Sequence, residues 1–406
     1  MDISDLPTPA LIVYIDKVKK NIKDMEKRSK KYGVRLRPHF KTSKVVKVAE
    51  LQTAGSKRGL VVSTLPEAEA LAENGFDDIL YAVPLINDPD KIKRCKALSE
   101  KLSEFHVMID TIDTANLLVS TNLLNGKKWS IFLLTDCGYH RAGALHDSSK
   151  LIELAKLLHK SEKIQFQGLY THCGHSYHLN ADKTVKNVAD EVVTNLLATV
   201  ERLKTLGIQC KHYGLGSTPT CSQPTEMMRK VTEWHPGNYV FYDVQQEMLD
   251  SCERSDIACM VATRIIGHYS SKGFSHMVVD CGFTALTQQG YGKVPSGGYG
   301  AILNHSELKL ENLTQEVGKI TNVDGTSIDF AKYPIGSMLF ILPYHSCATC
   351  AMHPVYYVAD NEGKIVDKWF PVRGCGSSRD ESNIFQYRPP SREDVATSSR
   401  RYAFEK

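Results

Sequence analysis

The sequence predicts an α/β fold, a (β/α)8 TIM-type barrel with a C-terminal mainly-β domain that also takes the N-terminal strand. Short apolar runs alternate with longer amphipathic ones from about residue 34 to residue 243. After about residue 247 the helical periodicity fades, and β-rich runs separated by turns replace it. One more apolar run, residues 10–15, precedes the first barrel strand. It is free to pair with the β domain, which would tie the two ends of the chain together.

In chain order, the expected barrel strands are 35–38, 60–63, 79–82, 106–109, 130–135, 166–171, 210–214 and 233–235. Helix-like segments lie between them at 43–54, 66–74, 88–102, 148–160 and 182–206. Alternating strand and helix argues for a parallel sheet with helices outside it. Eight such units in about 210 residues suit a closed barrel, with a doubly wound open sheet as the alternative. The β-rich runs beyond the barrel are 258–269, 276–280, 337–343, 354–359 and 366–371. The expected divisions are 1–20 for the N-terminal strand, 21–246 for the barrel, 247–385 for the β domain and 386–406 for a polar tail.

A chain of 406 residues has room for a large domain and a smaller one. Its net charge of +4 is small for that length, and no run of Lys and Arg interleaves with aromatics, so nucleic acid is not an expected partner. Residues 1–9 carry acids and prolines where a secretory signal would be basic and then apolar. No apolar run approaches the roughly 20 residues that span a bilayer, so a membrane is not expected either. Eleven cysteines, an odd number without small-scaffold spacing, read as reduced thiols in a cytosol-like compartment. A cytoplasmic protein with a small-molecule substrate is the expectation.

Several motifs could carry chemistry. RPHFKTSK (37–44) places Lys41 just after the first strand, at the rim where barrel active sites are built. A lysine partly desolvated there has its pKa lowered, which suits Schiff-base chemistry; a solvated surface lysine is the plainer alternative. HYGLGSTPT (212–220) supplies Gly214, Gly216, Ser217 and Thr218 as a small-residue loop, and HPGNYVFYD (235–243) adds a turn at Gly237 and Asn238. Such loops after the seventh and eighth strands can cradle a phosphate, or be ordinary turns.

PYHSCATC (343–350) sets His345 and Cys347 two residues apart. On a strand they would face the same way and could share a metal ion. A four-ligand site with Cys350 and His353 is the alternative. Cys350 has the opposite strand parity, and His353 would lie about 26 Å away along an extended chain at roughly 3.3 Å per residue. GLYTHCGHSY (168–177) gathers Tyr170, His172, His175 and Tyr177, rings able to pack on a flat heteroaromatic group. DCGYHRAG (136–143) adds Arg141 as a donor to a phenolate oxygen or a surface ion-pair partner.

Together these segments resemble the fold-type III pyridoxal-phosphate enzymes, the alanine-racemase-like barrels, and within them the D-serine dehydratase and D-threonine aldolase family. RPHFKTSK looks like the cofactor-lysine motif, GSTPT and PGNYVFYD look like the phosphate loops, and TLPEAEALAENGFDDILYA (64–82) is also similar. The resemblance runs from about residue 6 to residue 374. It implies that Lys41 holds pyridoxal 5'-phosphate, that Tyr170 and Tyr177 contact it, and that Thr218, Gly237 and Asn238 hold its phosphate. His345 and Cys347 match the family's metal pair. A thiolate ligand favours zinc, whereas the aldolases carry a carboxylate there and a harder ion.

The implied activity is therefore D-serine dehydration to pyruvate and ammonia. Lys41 would remove the α-proton, and the metal would stabilise the departing β-hydroxyl. D-threonine aldolase, an amino-acid racemase and a non-catalytic pyridoxal-phosphate carrier are the alternatives, and a homodimer is implied. Two positions depart from the family pattern: Ser43, where histidine is frequent, and Val317, where Glu-His-Gly is expected.

Overall fold

The computed structural model describes residues 1–179, 183–271 and 273–374. The expected tail at 386–406, the last part of the 247–385 region and the start of the helix expected at 182 lie outside the described residues.

Eight parallel strands form the barrel: Arg35–Leu36, Arg58–Val62, Asp77–Pro84, Phe105–Ile109, Trp129–Asp136, Ile164–His172, His212–Gly216 and Glu233–Trp234. Closure depends on the shortest two. Glu233 pairs with Arg35 and Trp234 with Leu36. On the other side a bridge joins His39 to Val61, and Val61 N–H donates to Pro38 O at 2.9 Å. The strand order runs unbroken round the ring, so the barrel holds and the open-sheet alternative does not.

Helix boundaries follow local chemistry. Leu65–Glu73 starts at Thr64, whose side chain accepts from Glu67 N, with a proline in the first turn. Pro89–Lys101 starts at Asp88, which accepts from Asp90 N and Lys91 N. Each cap satisfies amides that the first helical turn cannot. Two of the longer helices were not expected from the sequence. Ile15–Tyr32 buries Val18, Ile22 and Met25, a stripe spaced by four and three residues within a largely charged segment. Ile112–Ser120, capped by Thr111, is the other.

The interior of the barrel is layered. Arg37 is 1% exposed and lies between Asp78 and Glu233 at the N-terminal ends of the strands. Above it an apolar layer of Val61, Leu80, Met108, Phe132, Leu134 and Tyr170 separates those charges from the C-terminal rim.

The expected N-terminal strand, Ala10–Tyr14, lies between Cys259–Ser271, antiparallel, and Tyr356–Ala359, parallel. These belong to a nine-stranded, mostly antiparallel sheet. Gly300–Ile302, Leu308–Leu313 and Gly318–Asn322 are strands of it that the sequence reading did not identify. Leu308–Leu313 is short and half-polar, burying only Leu308, Leu310 and Leu313. Barrel and sheet share one unit, Met1–Arg373. Among the described residues all ten cysteines are free thiols, and no helix is long and apolar enough to cross a membrane.

Candidate active site

A cavity of about 890 Å³ opens at the C-terminal rim of the barrel, and Lys41, Tyr170, Tyr177, Thr218, Gly237, Asn238, His345 and Cys347 all line it. Lys41 sits in a single turn, Phe40–Thr42, directly after the first strand. Its side chain is accessible from the cavity yet ringed by protein. Among the described residues its amine has no hydrogen-bond or ion-pair partner. Desolvation lowers its pKa; Cys347 opposes this and Arg141 reinforces it.

Tyr170 lies within the sixth strand, as its place in the expected run 166–171 requires, stacked on His235 with ring centroids 4.4 Å apart. Burial raises its phenol pKa. Gly214 and Gly216 likewise lie in the seventh strand rather than in a loop. A Cβ at Gly214 would stand 2.4 Å from His235 Nε2, and one at Gly216 would stand 2.7 Å from His235 Cβ. These glycines make room for the imidazole, which is why a side chain is missing at both. The loop proper begins at Ser217. There Thr218 N–H donates to Tyr177 Oη at 3.4 Å, and Gly237 N–H donates to Thr218 Oγ1 at 3.3 Å. The two small-residue turns thus meet at one side of the cavity.

His345 and Cys347 do come together, but not by strand parity. The strand Met338–Pro343 ends before them, and His345 caps the short helix Ser346–Cys350. Burial alone would make His345 more acidic, but the adjacent thiolate outweighs it and raises its pKa to about 9. Burial alone would likewise raise the Cys347 thiol; His345, Thr42 and Lys41 bring it below its ordinary value. His345 Nδ1 is 2.5 Å from Gln289 Oε1, which leaves its other ring nitrogen for a ligand. Beneath the pair, the buried Asp243 carboxylate accepts from Ser346 N at 2.8 Å and Asn238 Nδ2 at 2.6 Å.

The four-ligand alternative is not assembled. His353 Nε2 donates to Ala285 O at 2.8 Å, and the Cys350 thiol is hydrogen-bonded to Cys259. His175 is not among the residues lining the cavity; it stacks on Tyr139 at 5.9 Å. Arg141 does line the cavity, lying 5.1 Å over the Tyr139 ring. His39, Thr42 and His235 were overlooked as individual residues. His39 and Thr42 flank Lys41 within the RPHFKTSK motif, and that adjacency was the available signal. Ser43 is 1% exposed, and its hydroxyl accepts from Val45 N at 3.4 Å.

A second cluster, Asp78, Glu104 and His106, has side-chain spacing that a metal could use. Its neighbours argue otherwise. Asp78 Oδ1 already receives Arg37 Nη1 at 2.6 Å and His106 Nε2 at 3.0 Å, and Arg35 holds Oδ2 at 2.5 Å. A cation there would sit against two guanidinium groups.

The family model for the alanine racemase N-terminal domain matches residues 13–244, and that for the serine dehydratase domain matches residues 258–359. The chain belongs to the alanine-racemase-like pyridoxal-phosphate enzymes.

Within this family it is 36% identical to a D-serine dehydratase of Dictyostelium discoideum, over 91% of this chain and 98% of that one. The solved D-threo-3-hydroxyaspartate dehydratase of Delftia sp. HT23 superposes with a TM-score of 0.85 at 30% identity, covering 92% of this chain and 99% of that one. A cysteine-to-alanine variant of that dehydratase is described as a metal-free form. The residues at the rim fit the family's cofactor: a lysine amine facing the cavity, an aromatic wall of Tyr170 and Tyr177, and two small-residue turns at Ser217–Thr218 and Gly237–Asn238.

Proposed function

We propose that the chain is a pyridoxal-phosphate and zinc-dependent lyase that converts D-serine to pyruvate and ammonia. One observation carries this reading: Lys41 and the His345–Cys347 pair line the same cavity, with the turn of one in contact with the thiol of the other at Thr42. Lys41 would hold the cofactor through Nζ. Thr218, Gly237 and Asn238 would hold its phosphate, and Tyr170 and Tyr177 its ring side. Bound there, pyridoxal phosphate supplies an electron sink for charge at Cα. An imidazole and a thiolate suit zinc, and two protein ligands leave positions open for substrate, where the ion supplies Lewis acidity toward a departing hydroxyl.

The chain's own residues do the rest. The desolvated Lys41 amine is neutral at a lower pH than an exposed lysine, so it can take the α-proton. Loss of that proton and of the β-hydroxyl removes water, and hydrolysis of the released enamine yields pyruvate and ammonia. Relatives carry both D-serine and 3-hydroxyaspartate names, and the His-x-Cys pair supports elimination. A homodimer belongs to the same proposal.

The deciding experiment follows pyruvate formation from D-serine by the purified enzyme alongside its visible spectrum. Cys347→Ala should abolish pyruvate while the cofactor absorbance stays. Pyruvate at the wild-type rate from that variant would end the metal assignment.

A further inference from the structure

Thr42 follows Lys41 in the turn Phe40–Thr42 and is 2% exposed. Its hydroxyl lies 3.2 Å from the Cys347 sulfur. A metal-bound thiolate has no proton to give, so in the loaded protein the hydroxyl donates and the sulfur accepts. Asn238 Nδ2 also approaches the sulfur, at 3.7 Å, but it serves Asp243 Oδ2 at 2.6 Å and Ser346 Oγ at 2.9 Å as well. Two amide hydrogens shared among three acceptors leave little for the sulfur. Thr42 has one hydroxyl hydrogen, and the Cys347 sulfur is the contact its oxygen makes.

The surroundings permit this close approach only because residue 237 is glycine. A Cβ there would stand 2.9 Å from His39 Cβ and 3.4 Å from Thr42 Oγ1. It would press on the turn that carries both Lys41 and Thr42.

We propose that Thr42 is a positioning residue for the metal centre: its hydroxyl donates to the Cys347 sulfur, fixes that ligand's orientation and ties it to the Lys41 turn. This rests on His345 and Cys347 being the metal pair. With only two protein ligands, freedom at one of them loosens the ion directly, and outer groups of this kind are worth about 10- to 100-fold in metal affinity. The donated hydrogen also draws electron density from the sulfur, so its loss makes the thiolate easier to ionise toward a bound metal.

The test compares full-length wild type, Thr42→Val, Thr42→Ala and Thr42→Ser, stripped of metal and titrated with zinc against a chromophoric chelator, then with cobalt(II). The valine and alanine variants should bind zinc about tenfold or more weakly. Their sulfur-to-cobalt charge-transfer band should move to longer wavelength, and the serine variant should keep wild-type affinity and band. An unmoved band, wild-type zinc affinity in Thr42→Val and Thr42→Ala, or a serine variant as impaired as valine would each overturn the role of the hydroxyl. Zinc retained at wild-type affinity by Cys347→Ala would instead overturn the metal pair itself, and Thr42's role with it.

Discussion

The two ends of the barrel use buried polar groups in opposite ways. At the N-terminal end Arg37 donates to Glu233 through Nε and to Asp78 through Nη1, and His106 completes the set. Burial disfavours charge there, yet Arg37 and its neighbours bring Glu233 down to about 2 and hold Asp78 well below the usual carboxylate range. At the C-terminal rim the buried His235 Nε2 and Asn238 Oδ1 have no partner among the described residues, and the Lys41 amine beside them faces the cavity. Buried polar groups that answer one another hold a structure together, whereas those left open need something else to satisfy them. One end therefore serves stability and the other ligand chemistry, as in parallel barrels generally.

The strongest way to break this contrast is to exchange the expected effects. Lys41→Ala should lower turnover of D-serine by about 10³-fold or more and abolish the visible cofactor band, with little change in the urea midpoint of the cofactor-free protein. Arg37→Met removes the buried guanidinium between two buried carboxylates, leaving them the more exposed Arg35, and should cost about 3–5 kcal/mol in urea denaturation. If Arg37→Met left stability intact, the division of labour would be wrong. Gly214→Ala pushes a Cβ against His235 Nε2 and should cost about 1–3 kcal/mol, with weakened cofactor retention on dialysis as the second readout.

Acid should act on the buried rim histidines and on the Glu233 carboxylate over different windows. Burial lowers His172 to about 3 and His235 to about 4 from an ordinary 6.5. Below 6.5 the unfolded chain binds more protons than the folded one. Stability is therefore intact above that value and falls as pH drops toward 4, by about 1.4 kcal/mol per unit for each histidine. The Glu233 carboxylate has its pKa lowered from 4.5 to about 2, so its contribution is intact above 4.5 and lost as pH falls toward 2. Melting of the cofactor-free protein against pH checks both. His235→Gln should make the upper window shallower and leave the lower one, and Glu233→Gln should do the reverse.

Much of this architecture could be read from residues alone. All eight barrel strands fall where alternating apolar runs place them, because a strand buried on both faces writes an unbroken apolar signal. The helix Ile15–Tyr32 did not show, since its apolar stripe is narrow and lysines crowd the rest of its surface. The half-polar strand Leu308–Leu313 was lost for a similar reason. At the candidate site, the eight residues singled out from motifs do share one cavity. The local geometry of His345 and Cys347 was read wrongly, because a chain that leaves a strand for a helical turn leaves no periodic trace. The Thr42–Cys347 contact and the Tyr170–His235 stack were out of reach: their partners are distant in sequence, and only closure of the barrel brings them together.

The strand Ala10–Tyr14, held between Cys259–Ser271 and Tyr356–Ala359, imposes an order on biosynthesis. A ribosome delivers this strand long before either of its neighbours, so its edges must wait through translation of the entire barrel. Such remote pairing is slow to form and leaves sticky edges exposed meanwhile. Newly made chains should accordingly depend most on chaperones just before residue 359 emerges, when the barrel is complete and one edge of Ala10–Tyr14 is still unpaired.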